Sequence, residues 1–309
     1  MHDTITVADL LPAELSLSER GALSGRARHV VSYGVHGAGV SARFDDASGA
    51  LELARRYGAL RRDEPAALPV YAVRDDAGRP HFWTDGGPAY QWPHGPLSGR
   101  VTAFFADAFA THALLSSLPG AVSLHAAALR WNEVAFALTG ISTAGKSTTA
   151  LACAAAGAQL YSDERCVTTA QGTIPFPRTI NVRQGGLDLL VDTLPDCDLR
   201  RRLAAHRGGD WEGVRFDELF GAAPLPAPAP LRALFAIAGR DAQPRSRRIA
   251  PVEMLPLAEQ GANVRARGID RVCALLEFFR GVACFELVLG SPTDSARHVL
   301  ARIGELSAA

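Results

Sequence analysis

The chain almost lacks lysine. It has 32 Lys and Arg residues together, and a single one of them, Lys146, is lysine. Cysteine is also sparse. The five cysteines, Cys153, Cys166, Cys197, Cys273 and Cys284, form no CxxC pair and no Cys/His cluster with zinc-ligand spacing. That excludes a disulfide scaffold and a zinc-finger class, and it suits a reducing compartment. An excess of charge of either sign is missing too: 32 acidic residues balance the basic ones, and the pI is near 7.1. No global field recruits nucleic acid or an anionic membrane, so neither is an expected partner and a specific site must carry function. No uninterrupted apolar run of about 18 residues exists, so no membrane span is expected. The first twenty residues, MHDTITVADLLPAELSLSER, are acidic early and have no long apolar core. They read as neither a signal nor a transit peptide, and a cytoplasmic protein is the expectation.

What is present falls into two parts. Residues 1–95 read as a small α+β domain, a candidate for binding a substrate or partner. His29–Val35 and Leu68–Val73 are β-prone, Leu51–Tyr57 suits a short helix, and Asp76-Ala-Gly78 and Asp85-Gly-Gly-Pro88 are turn signals. The pattern changes near residue 96. Apolar residues at three- and four-residue spacing predict an amphipathic helix over Val101–Leu118. Val122–Leu129 reads as one apolar strand and Val134–Thr139 as a strand buried on both faces. A helix over Lys146–Ala156 stops at Gly157. Leu160-Tyr161, Cys166–Thr169, Leu231–Ala238 and Ala283–Leu289 read as further strands, and Arg265–Arg280 as a helix. The last helix has Ser291 as its N-cap and Pro292 at its first position. The Pro/Ala-rich segment 222–230 reads as an extended, flexible surface loop. Arg245, Arg247 and Arg248 read as a solvated basic loop.

The sole lysine marks the chemistry. Gly140-Ile-Ser-Thr-Ala-Gly145-Lys146-Ser147 matches G-x-x-x-x-G-K-[ST] without gaps, between a predicted strand and a predicted helix. Glycines let successive backbone N–H groups turn toward phosphate oxygens, and the helix start adds its positive dipole end. A compact ammonium fits between phosphate oxygens where a planar guanidinium does not. Ser142, Thr143, Ala144, Gly145 and Thr148 join Gly140, Lys146 and Ser147 in the expected cradle for ATP or GTP, with the Ser147 hydroxyl on Mg²⁺. Sixteen residues after Ser147 come the adjacent acids Asp163 and Glu164, where a βαβ unit returns to the phosphate edge. Such a pair can divide two tasks, holding Mg²⁺ and accepting a proton from an attacking hydroxyl. His125 stands in an apolar strand, where a lone histidine is more often a satisfied core residue than a functional one.

Together the three elements resemble the catalytic domain of HPr kinase/phosphorylase and its smaller relatives. The likeness lies in Ser-Leu-His125-Ala-Ala before the loop and Leu160-Tyr-Ser-Asp163-Glu164 after it. Pro175-Phe-Pro-Arg178-Thr-Ile-Asn-Val-Arg183 also looks like a stretch in HPr-kinase-related proteins of peptide-modification clusters. It is strong only over 122–190. The implied fold is α/β, a P-loop kinase domain of the HPr kinase/PEP carboxykinase type with a mixed sheet over 96–309, preceded by the small α+β domain. The resemblance implies that Asp163 is the general base, Glu164 (also with Asp163) the metal-side acid and His125 a residue near the phosphates. Arg165, Arg178 and Arg183 are candidates for contacts to phosphate or acceptor. HPr kinases are hexamers, so a homo-oligomer is compatible. The second acid departs from the usual Asp. The family's phosphorolysis loop is not found, so no reverse activity is expected, and the N-terminal region does not match a domain that takes HPr. The implied activity is γ-phosphate transfer to a hydroxyl, foremost a serine of a peptide or protein such as a ribosomal peptide precursor. The alternatives are a nucleotide-binding regulator with little transfer and a small-molecule hydroxyl kinase.

Overall fold

The computed structural model describes residues 6–208, 213–221, 224–259 and 268–308. The chain divides into two compact units, residues 1–118 and 119–309. Both are α/β, with mixed sheets flanked by helices.

The first unit contains β1 (Leu11–Ala13), α1 (Leu17–Ser24), β2 (His29–Val35), β3 (Ala38–Phe44), α2 (Ala47–Arg56), β4 (Arg61–Arg62), β5 (Leu68–Arg74), β6 (Pro80–Thr84), β7 (Ala89–Gln91) and α3 (Gly99–Ser117). Its seven strands lie in the order β1-β7-β6-β5-β3-β2-β4. β3 and β5 run parallel because α2 carries the chain back between them, and every other neighbouring pair is antiparallel. The helix expected to open the second domain is α3, and it belongs here. Its apolar face finds its partners in the first sheet. Phe105 packs on Phe82 of β6 at 5.2 Å between ring centres, and Phe109 on Tyr90 of β7 at 5.5 Å. The boundary therefore falls after residue 118 rather than near 96: the sequence changes pattern at 96, but the helix that starts there is bound by packing to what precedes it. Asp107 is buried on α3, where it accepts hydrogen bonds from Tyr57 (2.5 Å) and Thr111 (3.1 Å) and an ion pair from Arg56 (3.2 Å).

The second unit contains β8 (Val122–Leu124), β9 (Ala126–Trp131), β10 (Val134–Thr139), α4 (Lys146–Ala155), β11 (Gln159–Ser162), β12 (Cys166–Thr169), β13 (Gly172–Ile174), α5 (Gln184–Thr193), α6 (Asp198–Ala204), α7 (Phe216–Phe220), β14 (Leu231–Arg240), β15 (Arg245–Ile249), α8 (Pro251–Glu259), α9 (Gly268–Arg280), β16 (Ala283–Leu289) and α10 (Pro292–Ala308). Six strands form a mixed sheet in the order β11-β9-β10-β14-β16-β15, and β13-β12-β8 form a small antiparallel one. β10, β14 and β16 are mutually parallel, whereas β9 runs against both β10 and β11. β10 is buried on both faces, as expected. Phe136 and Leu138 join the core that includes Leu151 of α4 and Val299 of α10, while Ala135 and Ala137 face Met254 of α8 and Phe279 of α9. At about 25 cal/mol per Å² of apolar surface, removing both faces of such strands from water is favourable.

Three expectations are corrected. The strand over Val122–Leu129 breaks at His125, so its halves, β8 and β9, join different sheets. The basic run is the edge strand β15, not a loop. Arg245 is paired with Asp241, Arg247 with Glu286 at 3.0 Å, and strand-edge charges of this kind discourage further pairing. The Pro/Ala segment, of which 222–223 lie outside the described residues, is pinned. Ala229 is buried and exchanges two backbone hydrogen bonds with Thr173, and Tyr161 donates to the Ala227 carbonyl. Proline removes donors but not acceptors, so the segment still closes a bridge through its alanine. Residues 265–267 of the expected helix over Arg265–Arg280 lie outside the described residues, and α9 accounts for the remainder. Among the described residues no helix is long and apolar enough to cross a membrane.

Candidate functional site

One edge of the six-stranded sheet gathers the marked residues, and strand direction explains why. β10 and β11 both run toward this edge and end at Thr139 and Ser162. β9 runs away from it and starts at Ala126, which is paired with Thr139. The residue after each arriving strand and the residue before the departing one therefore meet: Gly140, Asp163 and His125. The Thr139 hydroxyl donates to the His125 carbonyl at 3.3 Å and fastens the two together.

Between β10 and α4 the loop turns sharply. Gly140 and Gly145 have φ of 150° and 113°, and Thr143 is held at 70°. A side chain at Gly145 would meet the Arg240 guanidinium at 2.8 Å and Leu289 at 2.9 Å as well as a forbidding φ. Strain of this kind at a non-glycine residue is characteristic of ligand-binding loops. Ser142 and Thr143 are exposed, Ala144 and Gly145 are half-buried, and Thr148 is buried where Gly186 of α5 approaches it. Lys146 is 8% exposed, and its Nζ donates to the carbonyls of Gly140 (2.8 Å) and Ile141 (3.2 Å). Burial pushes its pKa down, and the carboxylates of Asp163 and Glu164 push it back up.

The acidic pair splits by depth. Asp163 is 3% exposed. Its Oδ2 accepts the backbone N–H of Asn181 at 2.9 Å. Its buried Oδ1 has no partner of normal hydrogen-bond geometry, although the Ser147 hydroxyl stands near enough to favour the charged form. Burial and then Glu164 raise the pKa to about 6, against Ser147, Asn181 and Lys146. Glu164 lies nearer the surface with both oxygens engaged, Oε1 by the Asn181 side chain (2.8 Å) and Oε2 by Arg178 (3.3 Å). His125 is exposed at the rim. Burial by the surrounding protein, then Lys146 and Arg165, lower its pKa against the pull of Glu164.

The structure thus brings together His125, Lys146, Ser147, Asp163, Glu164, Arg165 and Arg178. It leaves Arg183 exposed at the N-cap position of α5, with no capping bond from its side chain. Two residues at this edge had no assigned role. Asn181 touches both acids, and Arg240 lies against the loop. A signal for the first was available. Asparagine occurs only at 132, 181 and 263, and the scarcity that singles out Lys146 also singles out Asn181.

The donor set fits Mg²⁺. Ser147 offers a hard oxygen, and Asp163 keeps an unpartnered one beside it. Among the described residues no group of three or more His, Cys, Asp or Glu could hold a metal. An ion here would depend on oxygens brought by a phosphate ligand, which is the habit of Mg²⁺. All five cysteines are free, and burial pushes the thiols of Cys153 and Cys166 up to about 12, so neither is a ready thiolate. Compared with protein-family models and with curated proteins, the chain matches none.

Proposed function

We propose that the chain is an ATP- or GTP-dependent kinase of the HPr kinase-like type that transfers the γ-phosphate to a hydroxyl, foremost a serine of a peptide or protein. The observation that carries this reading is Asp163. It is a buried carboxylate poised near neutral pH, with one oxygen unpartnered, at the edge where the phosphate-type loop ends. A carboxylate whose pKa is raised toward the working pH has the proton affinity a general base needs.

In the reaction, the loop N–H groups and the Lys146 ammonium hold the phosphates and oppose the charge that builds during transfer. Lys146 exchanges its two carbonyl partners for phosphate oxygens. The acceptor oxygen attacks the γ-phosphorus, the bond from that phosphorus to the β–γ bridging oxygen breaks, and the acceptor proton passes to Asp163. Asn181 holds the Asp163 carboxylate in place through its backbone N–H and ties Glu164 beside it. Arg178 neutralises Glu164, which keeps a second negative charge from repelling the nucleotide. Ser147 with Asp163 or Glu164 would hold Mg²⁺, which supplies charge neutralisation on the phosphate oxygens.

The test is incubation with γ-labelled ATP and serine-containing peptides. Label on a serine, lost in Asp163→Asn while nucleotide binding survives, is the expected outcome. Full transfer by Asp163→Asn would overturn the assignment of the base. A second reading has its own observation, the closeness of the Ser147 hydroxyl to Asp163. If Asp163 instead serves the metal, Asp163→Asn raises the Mg²⁺ requirement and excess Mg²⁺ restores the rate.

A further inference from the structure

The opposite edge of the same sheet holds a cavity of about 710 Å³. β10, β14 and β16 begin here, and six residues of β10, roughly 20 Å of strand, separate it from the Gly140 end. Three arginines line it from three different elements: Arg232 at the start of β14, Arg248 near the end of β15 and Arg280 at the end of α9. Glu133, in the turn between β9 and β10, is the acid among the lining residues, and it already binds Arg130 at 2.9 Å. Val134 and Leu306 add apolar surface.

The pairing of these arginines is unlike that of their neighbours. Elsewhere on β15 and α10, Arg245, Arg247, Arg297 and Arg302 are all joined to carboxylates, and Arg280 itself is paired with Glu277 at 3.0 Å. Arg232 and Arg248 make no side-chain hydrogen bond and no ion pair among the described residues. Two unengaged guanidinium groups on one concavity, with a third cation beside them, concentrate positive potential that the lining acid Glu133, already paired with Arg130, answers only in part. A guanidinium offers a planar fork of donors suited to carboxylate or phosphate oxygens.

We propose that this cavity binds a small organic polyanion, whose phosphate or carboxylate groups meet Arg232 and Arg248 and whose body rests on Val134 and Leu306. The site lies at the far end of β10 from the Lys146 loop, so both can be filled at once. It stands independently of the kinase reading.

The test is calorimetric titration of the full chain with two probes, inorganic pyrophosphate and citrate, without Mg²⁺. Lys146→Ala takes the ammonium out of the loop and so lowers any anion binding there relative to the distal site. In that background at least one probe is expected to bind, and the tighter one tells whether the natural ligand carries phosphate or carboxylate groups. Adding Arg232→Gln with Arg248→Gln is expected to weaken that binding at least tenfold, each single change giving part of the loss. Both side chains are exposed, so an unchanged melting temperature is expected and confirms an intact fold. The proposal fails if neither probe binds the Lys146→Ala chain, or if the double substitution leaves binding as it was.

Discussion

Asp107 in the first unit and Asp163 in the second are equally hidden from water, at 4% and 3% exposure. Asp107 is met by a tyrosine hydroxyl, a threonine hydroxyl and a guanidinium. Asp163 has one backbone N–H and an oxygen without a settled partner. A buried carboxylate without partners costs several kcal/mol relative to a paired one. The first unit spends its polar side chains on holding α2 and α3 together, and the second tolerates an unfavourable group at the edge where chemistry is proposed. Burial alone does not separate a structural acid from a functional one; the count of its partners does.

Substitution at these two residues breaks or upholds the contrast. The largest effect is expected on rate. Asp163→Asn should lower kcat on the order of 10³-fold with nucleotide affinity retained, whereas Asp107→Asn should leave the rate of folded protein near wild type in the same labelling assay. The next effect is on stability, with opposite signs. Asp107→Ala removes the centre of a buried network and should cost about 3 kcal/mol in denaturant unfolding. Asp163→Asn should instead stabilise at pH 7 by about 2 kcal/mol. The sign follows from linkage. The Asp163 pKa is raised from 3.8 to about 6 in the folded state, so between those values the folded chain holds the proton that the unfolded chain releases. Stability is lost as pH rises through that window, and removing the charge recovers it. The pH profile is a smaller effect: kcat/KM should fall below about pH 6 as Asp163 is protonated, and this acid limb should vanish in Asp163→Asn. The smallest is Asn181→Ala. It removes one hydrogen bond to Glu164 and keeps the backbone donor to Asp163, so a loss of about fivefold in rate, close to 1 kcal/mol, should appear with little change in melting temperature.

How much of this was legible depended on how local the cause was. The loop at Gly140–Ser147, β10 before it and α4 after it were readable because a fixed spacing and a continuous apolar run encode them within twenty residues. The last helix was readable from Ser291, whose hydroxyl does accept the backbone N–H of Asp294 at 3.2 Å. The membership of α3 was not readable, since an amphipathic stripe states that a face is buried but not against which sheet. The break at His125 was hidden for the same reason. Val122–Leu129 is apolar but for Ser123 and His125, and only the pairing of its halves with different strands divides it. The seven short strands of the first unit are ordered by pairings up to about eighty residues apart, which no local pattern reports. The partners that give Asn181 its place, Asp163 and Glu164, lie 18 and 17 residues away in sequence, beyond any local pattern.

The hold of Lys146 on Gly140 and Ile141 carries a last consequence. The loop is closed upon its own cation, so a triphosphate held there as proposed would replace bonds rather than add them. What a triphosphate gains is the difference between a neutral carbonyl and an anionic oxygen as the ammonium's neighbour. On the proposed reading, recognition at this loop is an exchange of dipoles for charges, which weakens as salt rises. A nucleoside without a phosphate chain has nothing to offer in that exchange and leaves the latch shut.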